Sequence, residues 1–165
     1  MIAIERLSKA FETQRGTSHL ALADISLEVA EGEFLAIVGG SGSGKTTLLR
    51  LANRLIEADS GSITVEGEDV RNVDPILLRR RIGYVFQSGG LFPHLSVAGN
   101  IGITPKLTGT PPAEISARVD ELLDLVRLDR AQYRDRLPHE LSGGQRQRVG
   151  VARALAAKPR IVLMD

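Results

Sequence analysis

Phe34-Leu35-Ala36-Ile37-Val38-Gly39-Gly40-Ser41-Gly42-Ser43-Gly44-Lys45-Thr46-Thr47 is the stretch that decides the fold. An unbroken apolar run stops at a pair of glycines. A run this short and this uniform reads as a strand covered on both faces, as in a parallel sheet. Residues 39–46 then match G-x-x-x-x-G-K-[ST] at every fixed position, and helix-period leucines follow Lys45. Glycines let the backbone turn tightly, so that several N–H groups converge on one anion. The helix that follows adds its positive end. In this pattern Lys45 reaches the β- and γ-phosphates of a nucleotide and the Thr46 hydroxyl ligates Mg²⁺. The expected cradle is Gly39, Gly40, Ser41, Gly42, Ser43, Gly44, Lys45, Thr46 and Thr47.

The 165 residues suffice for one domain with a real core. Hydrophobic residues make up 42% and charged residues 25%, ordinary values for a globular protein. A net charge of +1 gives bulk electrostatics no reason to favour a nucleic-acid partner. With no cysteine, disulfides, thiolate metal sites and cysteine nucleophiles are excluded. No apolar run approaches the roughly 20 residues of a membrane-spanning helix. The N-terminus lacks the basic start and long apolar run of a signal peptide. The expectation is a cytoplasmic chain that meets a membrane only through a partner protein.

Outward from the central stretch, residues 2–7 and 24–29 read as strands, the second with Ile25, Leu27 and Val29 on one face. The helix after the glycine loop is expected over 45–55, with further strands at 62–65 and 82–86. Residues 87–112 hold four of the seven prolines and five glycines, and read as loop with one short helix near 96–101. Residues 113–128 place Ile115, Val119, Leu122, Leu123 and Val126 on one helical face. A last helix is expected over 143–157 and stops before Pro159, and 161–165 is an apolar strand ending in Asp165. This is an α/β pattern with a helical insertion.

Leu141-Ser142-Gly143-Gly144-Gln145 reads first as a capping box, with Ser142 as N-cap and Gln145 reaching back to it. Gly143 and Gly144 also leave that helix N-terminus bare of side chains, so it can approach an anion closely. Followed by Arg146-Gln147-Arg148-Val149 and Ala152-Arg153-Ala154-Leu155, the segment resembles the signature of ATP-binding cassette (ABC) proteins. Tyr84-Val85-Phe86-Gln87 resembles their Q-loop strand, and Ile161-Val162-Leu163-Met164-Asp165 their Walker B strand. The resemblance covers essentially the whole chain. It implies a P-loop NTPase of ABC type: a RecA-like core sheet, an antiparallel β subdomain and a helical insertion. Residues 1–94 and 158–165 would form the core, and about 95–157 the helical subdomain.

The resemblance also implies roles. Gln87 contacts Mg²⁺ or the attacking water, and Asp165 holds Mg²⁺ through water. Phe11 stacks on adenine, or is a core aromatic. Ser142, Gly143, Gly144 and Gln145 meet the γ-phosphate held by an opposite subunit, so two copies pair head to tail around two ATP molecules. Lys45, Gln87 and Asp165 are the catalytic set. Residues 91–97, from Leu91 to Val97, either receive a helix of a membrane permease on Leu91, Phe92 and Leu95, or are a locally packed loop. His19, His94 and His139 are expected to be solvated or structural, and Arg79-Arg80-Arg81 a solvated or ion-paired helix end.

Gly90-Leu91-Phe92-Pro93-His94, Pro105-Lys106-Leu107 and Arg134-Asp135-Arg136-Leu137-Pro138-His139-Glu140 look like the ATPase subunits of osmoprotectant importers. Their solutes are glycine betaine, choline or carnitine, delivered by an extracytoplasmic binding protein. Ser88 departs from that group, which carries a second Gln there. The family places a catalytic Glu directly after the Walker B acid, and the chain ends at Asp165. The expectation is therefore a C-terminally incomplete cassette. Three functional readings stand: the motor ATPase of an importer, a nucleotide-holding piece unable to hydrolyse, and a soluble cassette ATPase of DNA repair or translation. The last usually carries long insertions or tandem cassettes.

Overall fold

The structure, a computed structural model, describes residues 1–12 and 16–165. It divides into two compact units, Met1–Arg79 and Arg80–Asp165. In the first, β1 (Ile2–Glu12), β2 (Ser18–Val29), β3 (Ser60–Val65) and β4 (Glu68–Asp69) form an antiparallel sheet in the order β2-β1-β3-β4. Ile2 lies opposite both Val29 and Val65. Strand periodicity would bury residues 2, 4 and 6, yet the buried set is Ile2, Ile4 and Leu7. A bulge between Ile4 and Leu7 supplies the extra residue, with Arg6 at φ 46°. Its amide is satisfied by the Ser26 hydroxyl (2.9 Å), and that of Asp24 (φ 50°) by the Ser8 hydroxyl (3.0 Å).

Helix α1 (Lys45–Ala52) buries Leu48, Leu51 and Ala52. Helix α2 (Pro75–Arg81) buries Leu78, and its N-terminal amides at Ile76 and Leu77 donate to the Asp74 carboxylate. Arg79 was expected at a solvated or ion-paired helix end. It donates instead to the carbonyls of Asn53 and Arg54, where α1 leaves acceptors unused.

The apolar run 34–38 departs from expectation. It belongs to no strand, and Phe34 and Val38 are each 90% exposed. A strand requires a ladder partner for its N–H and C=O groups, and none of the described strands pairs with this run.

In the second unit, β5 (Ile82–Val85) and β6 (Ile161–Met164) run parallel, from Ile82 opposite Ile161 to Val85 opposite Met164. Around them lie α3 (Val97–Leu107), α4 (Pro112–Leu125), α5 (Arg130–Tyr133) and α6 (Gly143–Leu155). Val97, Ile101, Val119, Leu122, Leu123 and Val149 form the centre of their core. Each such burial is worth about 1.5–3 kcal/mol.

Helix α3 is longer than the proline content suggested. Pro105 sits in its last turn with no N–H to give the helix ladder, yet the helix continues to Leu107, and Thr108 N–H closes the end on Thr104 O (3.1 Å). Helix α4 stops at Leu125 because Arg127 takes a left-handed conformation (φ 55°). Leu128 then returns to the core. Among the described residues no helix is long and apolar enough to cross a membrane.

Candidate nucleotide-binding site

The glycine loop enters α1 through Gly44 at φ 86°. No side chain caps the helix, and its first turn holds no acidic residue. Within its own first turn α1 thus carries no acid to offset its positive end. Lys45 Nζ folds back to donate to Gly39 O (2.8 Å), Gly40 O (2.8 Å) and Ser43 Oγ (3.1 Å). The ammonium is therefore held on carbonyl and hydroxyl oxygens of the loop itself. A Cβ at Gly40 or Gly42 would meet nothing within 4 Å, so that side of the loop is open. At Gly44 the opposite holds: a Cβ would lie 2.6 Å from Ala21 O and 2.7 Å from Leu22 Cδ2. The loop is seated on β2 through that contact.

Phe11 is 41% exposed and lies opposite His19 on the β1–β2 hairpin, with Lys9 Nζ 5.6 Å from its ring centre. The same hairpin carries Ala21, on which Gly44 is packed.

In the second unit, the parallel pairing of Val85 with Met164 brings Gln87 and Asp165 to one edge, just beyond the carboxyl ends of β5 and β6. Ligands of open α/β sheets bind at that edge. Gln87 and Ser88 are the exposed corner of a turn closed by Gly89 N–H to Phe86 O (2.9 Å). The Asp165 N–H donates to Val85 O (3.0 Å), which fixes the acid to the sheet. Among the described residues no cluster of three His, Cys, Asp or Glu forms a metal cage.

Helix α6 begins with the capping box the sequence predicts. Ser142 Oγ accepts from Gln145 N–H (3.3 Å), and Gln145 Oε1 accepts from Ser142 N–H (2.8 Å). Gln145 Nε2 donates to Tyr133 Oη (3.0 Å), so both ends of its amide are engaged. Gly143 and Gly144 are exposed, and a Cβ on either would meet nothing within 4 Å. An anion can reach this helix N-terminus without displacing a side chain.

Three supporting residues escaped the sequence reading. Tyr133 braces Gln145, and the Arg136 guanidinium lies 4.8 Å from its ring centre. Asn100 is fully buried and holds the loop before α3. Arg153 is 8% exposed, and burial pushes its guanidinium below its usual range. The one available signal was a charged or amide residue on an otherwise apolar helix face.

A family model described as "ABC transporter" matches residues 22–165. The chain belongs to the ABC transporter family. It is 48% identical to the glycine betaine/carnitine/choline transport ATP-binding protein OpuCA of Bacillus subtilis, over 100% of this chain and 42% of that protein. It is 49% identical to the sulfate/thiosulfate import ATP-binding protein CysA of Gloeobacter violaceus, over 99% of this chain and 45% of that protein. The chain thus spans less than half the length of these curated relatives. A solved structure of the ATP-binding cassette MJ0796, dimeric and bound to ADP and Pi, superposes with a TM-score of 0.92 at 32% identity. That likeness covers 100% of this chain and 73% of the cassette. The fold of this ABC family member is accordingly the α/β cassette fold expected from the glycine loop and the LSGGQ segment.

Proposed function

We propose that this chain is the nucleotide-binding part of an ATP-hydrolysing subunit that drives solute import. Gly39, Gly40, Ser41, Gly42, Ser43, Gly44, Lys45, Thr46 and Thr47 hold the phosphates of ATP, and Phe11 takes the adenine. Thr46 is the Mg²⁺ ligand of the first unit, and Gln87 and Asp165 those of the second. Bound Mg²⁺ neutralises phosphate charge. Ser142, Gly143, Gly144 and Gln145 receive the nucleotide of a second copy across a two-fold axis. The dimeric form of the MJ0796 cassette supports that pairing. Residues 1–94 and 158–165 act as the core and 95–157 as the helical subdomain. Leu91, Phe92 and Leu95 are the contact to a permease, which would keep the protein at the inner face of the membrane.

The observation that carries this reading is the Lys45 ammonium drawn onto Gly39 O and Gly40 O beside an uncapped helix N-terminus. The test is MgATP titration of the full-length protein. Lys45→Ala should weaken binding at least about 30-fold, a loss of about 2 kcal/mol. Equal affinity in both forms would refute the assignment.

We infer quaternary-amine osmoprotectants as the solutes, supported by the likeness to the glycine betaine/carnitine/choline protein. Sulfate-type import is the rival, because the sulfate/thiosulfate relative is as similar. Uptake of labelled glycine betaine and sulfate in a strain lacking the gene separates the two. Loss of sulfate uptake alone would overturn the osmoprotectant reading.

A further inference from the structure

Helix α6 is bound to the Gln87 turn along three of its own turns. Near its start, Gln147 Nε2 donates to Phe86 O (3.5 Å), and a Cβ on Gly89 would stand 3.1 Å from Arg146 O. One turn on, a Cβ on Gly150 would stand 3.1 Å from Gly89 O and 3.3 Å from Gly89 Cα. A side chain at 150 would press the two backbones a few tenths of an ångström apart. One turn further, Arg153 Nη1 donates to Gly90 O (2.7 Å) and Nη2 to Gly89 O (3.1 Å). The guanidinium sits 5.8 Å from the ring centres of both Phe86 and Phe92.

A buried guanidinium is costly unless its fork is satisfied. Among the described residues no carboxylate pairs with this one, and burial is what lowers its pKa. A methionine or leucine would fill the same volume at lower electrostatic cost. What the arginine adds is a planar fork that fixes two consecutive carbonyls at once. Those carbonyls belong to Gly89, which closes the Gln87 turn, and to Gly90 directly after it.

We propose that Arg153 is a positioning residue that locks the Gln87 turn to α6, so that Gln87 and the Ser142–Gly144 helix start move as one body. The proposal deepens the ATPase reading and rests on it for its catalytic consequence. Arg153 touches no nucleotide in this scheme. It acts by fixing where Gln87 is presented.

The test uses the full-length protein with spin labels at Ser88→Cys on the turn and Asp124→Cys on α4, both exposed. Arg153→Met keeps the stem and removes the donors, and Arg153→Lys keeps the cation and removes the planar fork. The expected result is a narrow label distance that widens in both variants. The kcat for MgATP should fall about tenfold while KM stays within about twofold. A narrow distance with unchanged kcat in Arg153→Met would overturn the proposal. Should that variant fail to accumulate, the same readings on Arg153→Lys decide it in the same sense. If the unsubstituted protein neither binds nor hydrolyses MgATP, the ATPase reading falls, and the label distances still decide whether Arg153 holds the turn.

Discussion

Asn100 treats Phe92 as a neighbouring strand would: its Oδ1 accepts from Phe92 N–H (2.8 Å) and its Nδ2 donates to Phe92 O (3.1 Å). The same Nδ2 donates to Leu95 O (2.9 Å) and Ser96 O (3.0 Å), and the Asn100 side chain is fully buried. One side-chain amide thereby satisfies the loop over 92–96, which has no ladder partner of its own. Asn100→Ala should orphan several of these groups and cost about 2–4 kcal/mol in urea unfolding. Asn100→Asp should cost at least as much, because an oxygen would then face the three carbonyls that now accept from Nδ2. A variant within about 0.5 kcal/mol of the parent would contradict this account.

Gly44 and Gly42 form a matched pair. Both take left-handed φ, 86° and 79°, but only Gly44 is packed against β2. Gly42→Ala should cost the conformational penalty alone, about 1–2 kcal/mol. Gly44→Ala adds a Cβ 2.6 Å from Ala21 O, so β2 or the loop must shift. It should exceed the Gly42 variant by about 1 kcal/mol or more in thermal unfolding and weaken MgATP binding with it. Equal effects would show that the loop is not seated on β2.

The sequence was legible where chemistry is local. The glycine loop's turn into α1 and the Ser142–Gln145 box depend on residue type at fixed spacing, and the helix start and the box are both present. The run 34–38 was not legible, because an apolar strand is defined by partners that lie elsewhere. The end of α4 was missed because Arg127 adopts a left-handed φ that its residue type does not advertise. Arg153 and Asn100 escaped for a related reason. Their partners are backbone carbonyls and amides, which carry no sequence signal at all.

Gln145 offers a way to separate folding from function in the signature. Gln145→Glu keeps an oxygen for Ser142 N–H and can still accept from the Tyr133 hydroxyl. A glutamate at this position also completes a capping box. Thermal stability should stay within about 0.5 kcal/mol. Yet the change puts a negative charge beside a helix start proposed to receive a nucleotide phosphate. Self-association of the full-length protein driven by a non-hydrolysable ATP analogue should therefore weaken about tenfold or more. By contrast, Ser142→Ala should lower stability by about 1 kcal/mol through loss of the cap. Undiminished association in the glutamate variant, read by sedimentation, would remove this helix start from the nucleotide contact.

The acid side of the stability curve should depend on Asp59. Its Oδ1 accepts from Lys9 Nζ (2.6 Å) and its Oδ2 from Ala10 N–H (2.7 Å). The Lys9 hydrogen bond first, and the Ala10 amide second, hold the carboxyl below the usual range. A carboxyl depressed by folding stabilises the native state above its unfolded pKa. That contribution disappears as pH falls through the folded value. Asp59→Asn should therefore flatten the loss of stability between about pH 5 and the acid limit, and change little at pH 7 beyond a constant offset. Asp69 beside Arg71 and Glu121 beside Arg118 are depressed in the same direction, so some acid sensitivity should persist. Because the Lys9–Asp59 pair is exposed, about 1 M salt should shrink the difference between the two proteins. Parallel stability curves for parent and variant across that pH range would show that the ion pair ties β1 to residue 59 without contributing to the acid response.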